Sequence, residues 1–261
     1  VTYVDLRGLT SPQAAALDAR AIGIVPVGAC EQHGPHLPLG TDSLITEALV
    51  RDVAGRVAAP LVVAPLIAVG LSDHHAAFAG TVTLARETLF ALVEAHVAAF
   101  ARMGVRRVAL LSAHGGNFAA LGEAAGAAVE SGVEVHAYAD FARFLAVMAG
   151  AGRAAGLDAP ATDSHAGAYE TSMVLALAGA EAVGDFADVE GYTAAEDGWL
   201  ERLSDGVQQL SPTGVIGRPA GATAAVGARV LDAVAGEMAD WLGRTFALEP
   251  AAMSATGGGR R

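Results

Sequence analysis

Short apolar runs alternate along this chain with stretches in which apolar residues recur every three or four positions. The first kind of run predicts strands and the second predicts amphipathic helices. Ile22 to Val27 reads as the first strand, closed by Pro26 and Gly28. Ile45, Leu49, Val53 and Val57 then recur at every fourth position, with Asp52 and Arg56 on another face. Leu61 to Ala64 reads as a second strand, and Pro65 restricts it to an edge or an end of the ladder. Leu89, Leu92, Val93, Val97 and Phe100 form the stripe of a second helix, stopped by Gly104. Val108 to Ser112 is too short and too continuously apolar for an amphipathic helix and reads as a third strand.

Phe118 to Ser131 follows as an alanine-rich helix, and Val133 to Tyr138 alternates as a fourth strand. Thr171 to Leu177 predicts a buried helix, and Val226, Val230, Val234, Met238 and Trp241 a last one. Gly150, Gly152 and Gly156 read as a flexible connection between helices, because no strand leads into them as a phosphate loop requires. Residues 181–219 are irregular and suit a cover over a site or a subunit contact. Strands alternating with helices predict one α/β domain over residues 1–250, three layers deep (α/β/α) around a mostly parallel sheet. The glycine-rich tail, 251–261, is expected to be disordered.

Composition narrows the function. The 261 residues carry 16 basic and 28 acidic side chains, a formal charge of -12. No basic run is present to neutralise phosphates, so nucleic acid is not an expected partner. No apolar stretch approaches the length of a membrane span. A single cysteine excludes an internal disulfide framework, and the start of the chain does not read as a signal peptide. The expectation is a cytoplasmic protein with a small-molecule substrate.

Six of the eight histidines fall at the ends of the predicted strands: His33, His36, His74, His75, His114 and His165. Ligands of open α/β sheets bind at those ends. Glu31 and His33 are two apart, so an extended chain projects them to one side. Asp42 returns at the start of a helix, where it suits an N-cap or, with Glu31 and His33, a divalent metal. His114 ends a strand before Gly115, Gly116 and Asn117. The glycines leave room for a ligand, and Asn117 suits either a cap or substrate contact. Asp163, His165 and Glu170 form a third group, and a buried Glu170 needs a partner such as metal or His165.

These motifs resemble the creatininase (creatinine amidohydrolase) family. The resemblance is carried by PVGACEQHGPHLP at 26–38, GTD at 40–42, HGGN at 114–117, HAG at 165–167, ETS at 170–172 and TGVIG at 213–217. It implies a metal-dependent hydrolase of amide-type C–N bonds, assembled as a homo-oligomer, a hexamer being favoured. It implies two divalent ions (Zn, Mn or Fe), one on Glu31, Asp42 and His114 and one on His33 and Asp42. His165 matches a histidine of proton transfer. Creatininase has a glutamate ligand where this chain has Gly116, and Glu170 is the candidate replacement. Its substrate-pocket tryptophans match Ala139 and Ala161, so creatinine is not the expected substrate.

The expected function is therefore metal-assisted hydrolysis of an amide-type bond in a small molecule. Glu31, His33, Asp42, His114 and Glu170 are the candidate ligands. His165 is the candidate acid–base group, oriented by Asp163 or Glu170. His36, His75, Gly115, Gly116 and Asn117 are the candidate substrate contacts. Alternatives from the same site are a peptidase on a small modified peptide and a keto-ring hydrolase. A non-catalytic metal-dependent binder is the alternative of another class.

Overall fold

A computed structural model describes residues 3–128, 132–196 and 198–248. The expected tail at 251–261 and the end of the helix expected to reach Ser131 lie outside the described residues. In chain order the elements are β1 (Tyr3–Asp5), α1 (Ser11–Ala15), β2 (Ile22–Pro26), α2 (Thr41–Ala54), β3 (Leu61–Val63) and α3 (Arg86–Arg102). They continue with β4 (Arg107–Leu111), α4 (Phe118–Ala127), β5 (Glu134–Ala137), α5 (Phe141–Ala154), α6 (Ala168–Ala178), α7 (Trp199–Arg202) and α8 (Ala224–Thr245).

The five strands form one parallel sheet in the order β1-β3-β2-β4-β5. Ile22 pairs with Leu61 on one side and with Arg107 on the other. β2 is therefore central, which explains its unbroken burial and its reading as a continuous apolar run. Alternate residues of each strand serve opposite faces. Ile22, Ile24, Leu61, Val63, Ala109 and Leu111 pack with α2, α5, α6 and α8. Val25, Val62, Val108 and Leu110 pack with α3 and α4. The result is the expected three-layer α/β/α arrangement. Gly23 lets α3 close on the sheet, since a Cβ there would lie 2.9 Å from the Phe100 ring.

Four local expectations change. Strand β1 was not apparent, because three residues carry no readable alternation; it takes the edge beyond β3, so Pro65 marks an end and not an edge. Leu92 points away from the core, 36% exposed, while its neighbours Leu89 and Val93 are buried. In α8 it is Leu242 that is fully buried, and Trp241 is half-buried against Tyr138. The glycines at 150 and 152 are not a flexible connection but lie inside α5. Gly152 is required by contact: a Cβ there would lie 2.4 Å from Tyr169 Cε1 on α6. Only Gly156, at φ +83, sits in a turn.

Among the described residues no helix is long and apolar enough to cross a membrane.

Candidate metal centre

All the candidate chemistry lies at the carboxyl end of the sheet, around the central strand. The loop after β2 carries Glu31, Gln32 and His33. The first turn of α2 carries Asp42, one residue inside the helix, with Gly40 at the N-cap. Asp42 is therefore no cap, and its carboxylate is free to face the strands. The loop after β3 brings His74 and His75, and the chain leaving β4 brings His114. His165 is held by a two-residue antiparallel bridge, its N–H donating to Ile216 O at 3.1 Å and its carbonyl accepting from Ile216 N at 2.9 Å. Ala166 then turns left-handed at φ 52 and donates its N–H to Glu170 Oε2 at 2.6 Å. A left-handed non-glycine residue costs of order 1 kcal/mol or more, and such costs concentrate at functional sites. Here the turn lets His165 and Glu170 face the same cluster.

Three histidines are anchored in the same way. A carbonyl oxygen can only accept, so the ring nitrogen facing it must carry the proton. His33 Nδ1 donates to Glu31 O at 3.2 Å. His114 Nε2 donates to Leu71 O at 2.8 Å. His165 Nε2 lies 2.8 Å from Gln32 O and 2.9 Å from Gln32 Nε2; because the two amide hydrogens of Gln32 go to His75 Nδ1 and Gly214 O, the ring nitrogen donates to the carbonyl. With the rings neutral, as metal ligands must be, the opposite nitrogens carry lone pairs, and each faces a carboxylate. His33 Nε2 lies 3.6 Å from both Asp42 Oδ1 and Glu170 Oε2. His114 Nδ1 lies 3.4 Å from Asp42 Oδ2, and His165 Nδ1 lies 3.6 Å from Glu31 Oε1. Two ligands each about 2.1 Å from one ion in tetrahedral geometry stand about 3.4 Å apart. The spacing is that of donors sharing a cation.

Burial strengthens the case. Glu31 and His33 are 0% exposed and Asp42 is 1% exposed. Glu31 Oε1 and Oε2, His33 Nε2 and Asp42 Oδ2 are buried with no hydrogen-bond partner. Burying ionised carboxylates without compensation costs several kcal/mol each. Desolvation pushes Glu31 and Glu170 up. Burial alone would depress His33, but Asp42, Glu170 and Glu31 outweigh it and hold it near 10. The cluster demands positive charge, and a divalent ion on these mixed oxygen and nitrogen donors fits it. Donor atoms of His33, Asp42 and Glu170 lie within 4.8 Å of one another, as do those of Glu31, His74 and His114 and of Glu31, His33 and His165. The five expected ligands, Glu31, His33, Asp42, His114 and Glu170, are thus brought together.

The remaining candidates divide. His75, Gly115 and Gly116 line a cavity of about 580 Å³, together with Glu31, Asp42, His114 and Glu170 of the cluster; His33 lies outside its lining. His36 and Asn117 do not line it. His36 Nε2 meets Thr171 Oγ1 at 2.9 Å. Asn117 accepts from Leu71 N at 3.0 Å and donates to Gly28 O at 3.0 Å, so it ties loops together. Asp163 does not reach His165 either. Its carboxylate accepts from the N–H groups of Ala168 and Arg218, at 2.9 and 3.3 Å, and holds the entrance to α6. Desolvation raises Asp163 to about 6.

Two groups escaped the reading of the sequence. The first is Gln32, whose neighbours in the motif drew the attention. Its Oε1 accepts from Gly34 N at 2.9 Å, which orients the amide; its Nε2 then donates to His75 Nδ1 at 2.8 Å and Gly214 O at 3.1 Å. His75 must therefore carry its proton on Nε2, 3.2 Å from Glu31 Oε1. Strand alternation after Glu31 was the available signal, since it turns residue 32 away from residues 31 and 33. The second is the apolar wall of the cavity, formed by Phe141, Phe144, Leu200, Leu203, Val207 and Ile216. Leu200, Leu203 and Val207 come from the irregular region at 181–219, which does cover the site. Its fold depends on turns that leave no periodic signal.

The sequence profile described as creatininase, creatinine amidohydrolase, matches residues 7–242. The chain belongs to the creatininase family. As a member of it the chain is a hydrolase, acting on amide-type bonds other than the ordinary peptide bond. A mycofactocin precursor peptide peptidase of Mycobacterium tuberculosis (strain CDC 1551 / Oshkosh) is 34% identical over 227 residues, covering 81% of this chain and 80% of that one. A protein of the same name from Mycolicibacterium smegmatis (strain ATCC 700084 / mc(2)155) is 34% identical over 229 residues, covering 85% and 84%. Among solved structures, a manganese creatininase superposes with a TM-score of 0.75 at 24% identity, over 94% of this chain and 99% of that one. A creatinine amidohydrolase superposes at 0.73 with 25% identity, over 93% and 98%.

Proposed function

We propose that this creatininase-family chain is a metal-dependent peptidase that hydrolyses an amide-type bond of a small modified peptide. The observation that carries the reading is the convergence of buried, unpartnered donors: those of Glu31 and Asp42 line a cavity of about 580 Å³, and that of His33 lies behind them, 3.6 Å from Asp42 Oδ1. A volume of this size suits a drug-sized or short peptide ligand better than one small ring. The relatives named as precursor peptide peptidases support the same choice.

Glu31, Asp42 and His114 would hold one divalent ion (Zn, Mn or Fe), and His33, Asp42 and Glu170 a second. A bound ion of this kind lowers the pKa of a coordinated water to about 7 and polarises a carbonyl. The side chains do the rest. His165 is kept neutral by burial and by the neighbouring His75 and His33. With Nε2 committed to Gln32 O, only Nδ1 can exchange protons with the cluster. It accepts the proton of the attacking water and passes one to the leaving nitrogen. The Gly115–Gly116 turn lines the cavity beside His114, where its backbone can hold a developing oxyanion. Phe141, Leu200 and Leu203 exclude water from the opposite side.

The test is a substrate panel on metal-loaded protein: creatinine, a formamide, and short peptide amides with and without bulky apolar residues, with products read by mass spectrometry. Cleavage of peptide amides above the small amides is expected. Turnover of creatinine or the formamide with no peptide cleaved would overturn the peptidase reading.

A further inference from the structure

His74 drew no role from the motifs, yet it lies at the heart of the cluster. It lines the cavity between the loop after β3 and the Gly115–Gly116 turn. Among the described residues no hydrogen bond engages either of its ring nitrogens, whereas His33, His75, His114 and His165 each have one nitrogen committed. Its ring lies parallel to that of His114, with centroids 5.7 Å apart and planes 9° apart. A donor nitrogen of His74, one of His114 and a carboxylate oxygen of Glu31 lie within 4.8 Å of one another. Both Glu31 oxygens are buried and without a hydrogen-bond partner.

Gly116 supplies an independent observation. A Cβ at that position would lie 2.9 Å from His74 Cε1 and 2.5 Å from His114 Nε2. Real Cβ atoms do not approach so closely. The Leu71 carbonyl oxygen would lie nearer still, so that carbonyl and the two imidazoles together fill the space that a side chain at 116 would enter, and glycine there lets both rings keep their places. A ring packed this tightly beside a candidate ligand, with both nitrogens unengaged, is arranged to donate to the same ion.

We propose that His74 is a metal ligand, the fourth donor to the ion held by Glu31, Asp42 and His114. Two imidazoles and two carboxylates form a donor set for zinc, manganese, iron or cobalt. The inference rests on the cluster being a metal centre, and the experiment separates the two. The full chain is loaded with Co(II) as the probe, and ion count, affinity and visible spectrum are read for the unaltered protein, His74→Phe and His74→Gln. His74→Phe keeps the ring volume without a donor; His74→Gln keeps a polar group if the first variant folds poorly. Folding is checked by circular dichroism.

In the folded variant the affinity of one ion should fall by at least about 10-fold, and its ligand-field bands should shift, while the second ion is retained. Two ions bound with unchanged affinity and an unchanged spectrum would overturn the role of His74 and leave the metal centre standing. Absence of cobalt from the unaltered protein would overturn both.

Discussion

Asp42 Oδ2 lies 3.4 Å from His114 Nδ1, longer than an ordinary N–H···O hydrogen bond and right for two donors on one ion. The other oxygen, Oδ1, faces His33 Nε2 at 3.6 Å. Asp42 is thus the group common to both candidate sites. Asp42→Ala should remove metal and turnover together, with activity falling on the order of 1,000-fold or more. Metal analysis and kinetics on the same preparation check this. Full activity in the variant would sink the two-ion scheme.

His165 differs from the ligands in what its loss should do. Its Nε2 is tied to Gln32 O, and its Nδ1 is the proton-exchanging atom. His165→Ala should keep the metal content of the unaltered protein while turnover drops about 100- to 10,000-fold. Loss of an ion instead would make His165 a ligand, a role its closeness to Glu31 and His33 also permits.

Glu170 stands 3.6 Å from His33 Nε2 and accepts from Ala166 N. Glu170→Ala should reduce bound metal from near two ions per chain toward one. A count that does not change would assign Glu170 to the left-handed turn at Ala166 alone, and unfolding measurements would then show the effect as lost stability.

The apolar wall makes a prediction about substrate. Leu200 is 43% exposed and lines the cavity, in a segment bounded by left-handed turns at Gly198 and Gly206. Leu200→Ala, or its pairing with Leu203→Ala, should raise KM for an apolar peptide amide by roughly 10-fold, as expected for losing one or two buried contacts. The ion count should not move. An equal effect on a small formamide would show that the wall does not read the substrate.

A pH dependence follows from His36. Burial, with a contribution from His33, lowers it to about 4 from the usual 6.5. The unfolded chain therefore takes up this proton first as the solution is acidified. The contribution to stability is complete above pH 6.5 and is lost as pH falls toward 4, at most about 3 kcal/mol. Urea unfolding at pH 7 and pH 4.5 should show a smaller acid loss for His36→Asn than for the unaltered chain. Equal losses would mean that His36 is not held neutral in the fold.

The strands and most helices were readable from local pattern, because burial on one or both faces imposes periods of two or of 3.6 on the residues themselves. Ile22, Leu61 and Val108 announce their strands in this way, and Ile45, Leu49 and Val53 their helix. The spacing of Glu31, His33 and Asp42, with His114 and Glu170 after later elements, singled out in the sequence the side chains that the fold brings together. What the sequence left open depends on approach between distant segments. Gly150 and Gly152, in the last turns of α5, read in the sequence as a flexible connection because glycines look permissive, and only the Tyr169 ring against Gly152 shows why one of them must be glycine. Asp163 sits two residues from His165 yet turns to the N–H groups of α6. Gln32, His74 and the 199–207 wall reach the site from loops whose residues have no periodic constraint. Local composition decides which backbone shape is favourable; which side chain meets which lone pair is decided by packing across the sheet.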